Sequence, residues 1–366
     1  MNDGITINHL LQAFNSFNFY TLISSSAFQL DNPTGLYGER QIMSSASSQI
    51  RYDTFEYKSM QEFGEIFIEA LPKHVRNLKI PGRVILENDR RQPVLAHIIQ
   101  ISELQDAMFE VLNHPITQEA QLHSENAFRV LLEKPTVDSA ILKFFNGWNE
   151  THKTTSLVSA KIIMRLSADA ISVPAEKLVG YHHVMAHMHE VAKDDFGLGH
   201  PGHDGMYGYM TAAFGATAWV EDKYKIRECN EFSEFLYNTG VAKHKAALSS
   251  VEHKDSIMEA IMVSIASEIW NGREYNFLAQ YIEDKLLTLN PSLRTNTQSL
   301  RNAKGYVMGH SGEVENKHGL HALAAAQAFA RTTDITFKLG RLKGIMLNYN
   351  ERAGNAFAAM HQALTS

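Results

Sequence analysis

Apolar residues recur at three-and-four spacing through most of the chain beyond about residue 94, the signature of amphipathic helices. "PVLAHIIQISELQDAMFEVLNH" (93–114) keeps this period up to Pro115, and "TQEAQLHSENAFRVLLEK" (117–134) and "DSAILKFFNGWNETHKTTSLVSAKIIMRLSADA" (138–170) behave alike. "PAEKLVGYHHVMAHMHEVAKDD" (174–195) has its proline at a helix-opening position. "IMEAIMVSIASEIWNGREYNFLAQYIEDKLLTL" (257–289) reads as one long helix ending before Pro291. "EVENKHGLHALAAAQAFARTT" (313–333) is alanine-rich and suits close packing, and "RLKGIMLNYNERAGNAFAAMHQAL" (341–364) is a last helix. Strand-like alternation is nearly absent and no internal repeat is visible. The pattern predicts an all-α bundle of seven or more helices.

Residues 1–93 read differently. "SSSAFQLDNPTGLYGERQIMSSASSQIRYDTFEY" is rich in turn and small polar residues and keeps no period. Only "SMQEFGEIFIEALPKHV" looks helical, closed at about Pro72. The expected organisation is an accessory or capping segment over 1–93 and a helical domain over 94–366. A lid or a dimer contact are roles open to the accessory segment.

The net charge of -6, with 44% hydrophobic and 20% charged residues over 366 positions, is a normal globular balance. It gives no reason to expect nucleic acid or a membrane surface as partner. The single cysteine, Cys229, allows no intrachain disulfide and suits a reducing compartment. Asp3 stands where a signal peptide would carry positive charge, and no run is long and apolar enough for a transmembrane helix. A soluble, cytoplasmic protein is expected.

The 18 histidines change the picture, because many fall in two clusters, 182–203 and 310–321. In "HEVAKDDFGLGHPGHDGMYGYM" (189–210), Glu190 and Asp194 share a helix face, and glycines break the helix so that His203 opens the next one. A polar helix-to-helix turn, with glycine as C-cap and Asp204 near an N-cap, accounts for the same residues. In "GHSGEVENKHGLHALAAA" (309–326), Glu315 and His318 form the Glu-x-x-His pair by which bundles present a carboxylate and an imidazole to a dinuclear metal site. His310 and His321, eleven residues apart, would share a face of a continuous helix. Glu268 ends the apolar run "AIMVSIASE" (260–268), with Glu259 as its rival and a helix-end surface position as the plain alternative. Oxygen and imidazole donors without thiolates favour iron or manganese over structural zinc.

The order of these motifs resembles the heme-oxygenase-like diiron oxidases and oxygenases, whose fold relatives include pyrroloquinoline-quinone synthase and thiaminase-type proteins. "DDFGLGHPGHDGMY" (194–207) looks like their acidic-aromatic-Gly turn followed by a ligand histidine. "AIMVSIASE" looks like their small-and-apolar run ending in a ligand glutamate, and "YVMGHSGEVENKH" (306–318) like their final His-x3-Asp/Glu-x2-His helix. The resemblance covers about residues 95–366. Asp195 stands where the family has Glu. His310 to Glu315 is five residues rather than four, a gap a π-bulge would absorb. The spacings from His203 to Glu268 and from Glu268 to His310 are longer than usual.

The resemblance implies a heme-oxygenase-like helical bundle holding two Fe(II) per chain with O₂ as co-substrate. Its implied ligands are Asp195, His203, Glu268, His310, Glu315 and His318, with Glu190, Glu259 and His321 in reserve. The implied activity is that of an oxidoreductase, oxidising a small amine, an amino acid or a fatty-acid-like metabolite. A homodimer is compatible with it. Two other functions fit parts of the same sequence. His203-Asp204 with His182-His183 is the raw material of an HD-type metal phosphohydrolase, and a helical protein could bind a small molecule among its Met and aromatic residues without metal. Tyr181, Tyr207, Tyr209 and Trp219 either line a pocket or are plain core, the commoner fate of such residues.

Overall fold

Side-chain caps and prolines set many of the helix starts. Asp138 accepts from the Ile141 amide at 2.9 Å, Ser250 from His253 at 3.1 Å and Asn296 from Ser299 at 3.0 Å. Pro115 begins its helix at a position where the missing N–H costs nothing. The computed structural model describes residues 64–65, 67–69, 101–196, 202–241, 246–248, 250–311 and 313–366, without the side chains of Ile101, Asp194, Arg273, Glu313 and Val314. All of them fall in one compact unit, Ile50–Ser366.

From residue 101 the described residues form helices joined by short connections, with no strand among them. The helices are α1 (Ile101–Leu112), α2 (Pro115–Glu133), α3 (Ser139–His152), α4 (Thr155–Ala170), α5 (Ala175–Phe196) and α6 (Gly202–Phe214). They continue as α7 (Arg227–Leu236), α8 (Val251–Ala279), α9 (Ile282–Leu289), α10 (Thr297–Gly309), α11 (Glu313–Thr333) and α12 (Leu339–Thr365). The all-α expectation therefore holds. None of the described helices is long and apolar enough to cross a membrane.

Helix α8 is the axis of the bundle. From Ile257 to Leu278 it is buried on nearly every side, packed by α4, α11 and α12. A helix apolar all round belongs in the middle of a core. Helix α11 lies between α5 and α8, and its run Ala322 to Ala326 is buried, so small side chains let three helices approach closely. At the α5–α11 crossing a Cβ on Gly180 would sit 2.1 Å from Thr332 Oγ1, so any larger residue there forces Thr332 to move.

Two details of the expected helices change. Residues 257–289 form two helices, because the chain breaks at Gln280 and Tyr281 (φ -125°, ψ -9°). The stretch 306–318 is also broken: α10 ends at Gly309, His310 caps it, and α11 starts at Glu313. The extra residue between His310 and Glu315 is thus absorbed by a turn rather than a π-bulge, and His310 and His321 share no helix face. A π-helical turn does occur, but at Tyr237–Val241.

Of the expected accessory segment 1–93, only 64–65 and 67–69 lie within the described residues. They are helical, and Phe67 and Ile68 are buried in the same core as the later helices. Gln105 donates to the Ile68 carbonyl at 3.1 Å. A Cβ on Gly319 would come 3.2 Å from the Phe67 ring, so this segment covers α11 beside His318.

Candidate metal centre

Six helix positions converge as two trios. Asp195 in the last turn of α5, His203 in the first turn of α6 and His310 at the end of α10 form the first; their donor atoms lie within 4.8 Å of one another. Glu268 on α8 with Glu315 and His318 on α11 form the second, within the same limit. These are the six ligand candidates read from the sequence.

The first trio is built from helix ends. Gly202 opens α6 with φ +73°, a left-handed conformation that a side chain rarely adopts, and it delivers His203 at the next position. The turn residues 197–201, His200 among them, and the Asp194 side chain lie outside the described residues. The His203 and His310 rings meet edge to face with centroids 4.8 Å apart. The Nδ1–H of His310 donates to the Tyr306 carbonyl at 2.7 Å, which leaves the Nε2 lone pair for another partner. Tyr275 stacks on His310 at 5.1 Å and donates its hydroxyl to Tyr306 at 2.7 Å, so the ring is held from two sides. Burial lowers the pKa of His203, and that of His310 falls well below the ordinary value because burial is joined by His203. Both are therefore neutral near pH 7, the form in which imidazole binds a metal.

The second trio sits on helix faces inside the core. Glu268, Glu315 and His318 are 4%, 1% and 5% exposed. His318 Nδ1 lies 3.4 Å from Glu268 Oε2 and 3.7 Å from Glu315 Oε2. Neither oxygen of Glu315 has a hydrogen-bond partner among the described residues. Burial, reinforced by the neighbouring Glu268 carboxylate, holds the Glu315 pKa well above its usual value. A carboxyl group this buried and this unpartnered is costly unless it keeps a proton or meets a cation. The trios are neighbours, since Glu268 acts electrostatically on His203 and His318 on His310.

The reserve residues are engaged elsewhere. Glu190 pairs with Lys193 at 2.7 Å and Lys317 at 3.3 Å, which lowers its pKa against the opposing effect of burial. Glu259 pairs with Arg341 at 3.2 Å. His321 faces His187, Nδ1 to Nδ1 at 3.0 Å, on the α5–α11 contact. His182 and His183 belong to neither trio, and His183 lines a separate cleft with Glu176 and Arg331. Tyr181, Tyr207 and Trp219 are core residues, and Tyr209 is 47% exposed.

Sequence reasoning passed over a buried polar network behind the first trio. Glu274 on α8 is fully buried and accepts from Trp148 Nε1 at 2.6 Å and Trp270 Nε1 at 2.7 Å. His152 Nε2 lies 3.4 Å from Glu274 Oε1, while its Nδ1 bonds the Trp148 carbonyl at 2.9 Å. Burial opposes a charge on His152, but Glu274 outweighs it and the pKa is raised. The His152 ring is 6.2 Å from that of His203. Glu268 was singled out because it ends an apolar run, whereas Glu274 follows Asn271, Gly272 and Arg273 and carries no such signal.

Asp195 and His203 also line a cleft of about 630 Å³ with Glu150, Asp204 and Glu234, so the first trio opens to a cavity of small-molecule size. No protein-family model, curated protein or solved structure matches this chain.

Proposed function

We propose that this chain is an O₂-dependent non-heme diiron oxidase or oxygenase with a heme-oxygenase-like bundle, acting on a small organic metabolite. One observation carries the reading: three carboxylates and three imidazoles, without a thiolate, gather as two neighbouring trios, the first reaching a cavity through Asp195 and His203. Such a donor set suits ferrous iron better than zinc. It also answers the orphaned Glu315, whose oxygens gain a cation as partner. Asp195, His203 and His310 would hold one ion, and Glu268, Glu315 and His318 the other. Bound there, two ferrous ions would supply electrons for the reduction of O₂.

The protein's own residues do the rest. The Tyr306 carbonyl fixes the His310 tautomer, and the Tyr275 ring fixes its plane. Phe67 and the alanines of α11 keep water from the second trio. The cleft admits substrate on the Asp195–His203 side.

Anaerobic loading tests this reading. The full chain should take up two Fe(II), counted by metal analysis, and should then consume O₂ in an iron-dependent manner. Tight zinc uptake with no iron-dependent O₂ consumption would overturn it, leaving the metal-free binding protein or a hydrolase.

A further inference from the structure

The cleft over the first trio is electrically lopsided. Among the described residues its charged lining consists of Glu150, Asp195, Asp204 and Glu234 against Lys153. Lys153 is already spent, with Nζ 2.6 Å from Glu150 Oε1. If Asp195 serves a metal, Asp204 and Glu234 remain as carboxylates exposed at the mouth, Asp204 with an oxygen 3.9 Å from His203 Nδ1.

The imbalance does not follow from the chain's average charge. A cleft of about 560 Å³ between α5 and α11 sets Glu176 and Asp334 against Lys177 and Arg331. Another of about 540 Å³ sets Glu133 and Asp284 against Arg129 and Lys285. Both are balanced.

The same mouth leaves large apolar side chains in water. Leu157, Phe196 and Tyr237 line the cleft and are 46%, 54% and 50% exposed. Grouped exposed apolar residues mark a surface that something covers. Two of the three are aromatic, and an aromatic face attracts an organic cation. Negative charge and aromatic rings at one opening select the same ligand chemistry.

Resting on the diiron reading, we propose that the substrate is an organic cation, an amine or guanidine with an apolar portion, held by its charged head at Asp204 and Glu234. A carboxylate-headed substrate such as a fatty acid meets like charge at this mouth and is rejected, a cost that juxtaposed like charges impose on a wrong partner. The charges also orient the molecule. Two ferrous ions carry +4 against the three ligand carboxylates, so the floor is positive and the mouth negative. The cationic head stays outward and the neutral part of the substrate points toward the metals.

Titration calorimetry on the full chain, metal-free and ferrous-loaded without O₂, separates the possibilities. The probes are hexylammonium and hexanoate, matched in length and opposite in charge. Hexylammonium should bind saturably and hexanoate should not. Glu234→Gln should weaken hexylammonium by about threefold, as for an exposed charge, and Glu234→Lys by about tenfold. Raising salt from about 0.05 to about 0.5 M should weaken it too. Hexanoate binding as tightly as hexylammonium, or hexylammonium binding that ignores Glu234→Lys, would overturn the proposal. Iron stoichiometry is read separately. A chain that takes no iron yet prefers hexylammonium through Glu234 keeps the cation site and loses the diiron reading. A chain that takes two irons and consumes O₂ but prefers hexanoate does the reverse.

Discussion

Replacing Glu315 with Gln should have opposite effects in the metal-free and the iron-loaded protein. The side chain is 1% exposed, neither oxygen has a hydrogen-bond partner among the described residues, and Glu268 is a second buried carboxylate beside it. A carboxyl held in this site must keep at pH 7 a proton that the unfolded chain releases, a cost on the order of 1–3 kcal/mol. Gln keeps the shape and needs no such proton, so metal-free Glu315→Gln should be more stable than the parent by about that amount at pH 7. For a helical body of this size that is a rise of about 2–6 °C in melting temperature. The folded pKa of Glu315 is raised, so its favourable contribution is complete below the unfolded value and is lost as pH rises through the folded one. The advantage of the variant should accordingly vanish below pH about 4.5 and grow above it.

Iron reverses the order. At a free Fe(II) concentration about a thousand times Kd, binding stabilises the native state by about 4 kcal/mol, or about 8 °C. Glu315→Gln offers a neutral amide in place of a charged donor and should lose most of that shift. Anaerobic thermal melts by circular dichroism, with and without Fe(II), give all four values. Two results refute the reasoning: a metal-free variant less stable than the parent at pH 7, which would make Glu315 the counter-ion of a charged His318, or an iron-induced shift equal in both proteins.

His203→Ala and His318→Ala should each lower iron stoichiometry from two toward one, while the helical circular dichroism stays largely intact. Full occupancy in either would remove that histidine from the site. Glu268→Gln should abolish iron-dependent O₂ uptake, whereas Glu259→Gln, which breaks only a surface pair with Arg341, should keep it and cost under about 1 kcal/mol. Asp195→Asn should lose iron from the first trio, and Glu190→Gln should leave it in place, since Glu190 pairs with Lys193 and Lys317. Glu274→Gln turns an acceptor of two indole N–H groups and a partner of His152 into an amide, so it should destabilise the fold by about 3–5 kcal/mol. Because the His152 pKa is raised, that gap should be widest below pH about 6.5 and narrow as pH climbs through the raised value in urea-melt series.

What could be read from the sequence follows from how local the signal was. Helix α11 runs over Glu313–Thr333, the bounds its alanine-rich pattern suggested, because capping and small-residue spacing act within a few residues. The break at Gln280–Tyr281 was invisible: no glycine or proline marks it, and the apolar period runs across it. The turn at His310 did have a signal, since Gly309 and Gly312 flank it, and glycine is a strong punctuator of local structure. Glu274 meeting His152, and His187 meeting His321, are pairings across 122 and 134 positions that only the packing of α3, α5, α8 and α11 creates. No local period carries such information.

The helix break after Gly309 is what makes the two trios unlike. An unbroken helix from Thr297 to Thr333 would put His310 about a turn and a half before Glu315, on a different face of the same cylinder. The turn frees His310 to cap α10, where it meets His203 and Asp195, and lets α11 restart with Glu315 and His318 facing Glu268. One trio is therefore assembled from three helix ends, where backbone direction changes and a cleft can open. The other is assembled from helix faces, where neighbours close over it. On the diiron reading the first ion faces the substrate cleft and the second is buried, so exchange of ligands with solvent belongs to the Asp195–His203–His310 side. On that same reading, the turn after Gly309 is what separates an open metal position from a sealed one.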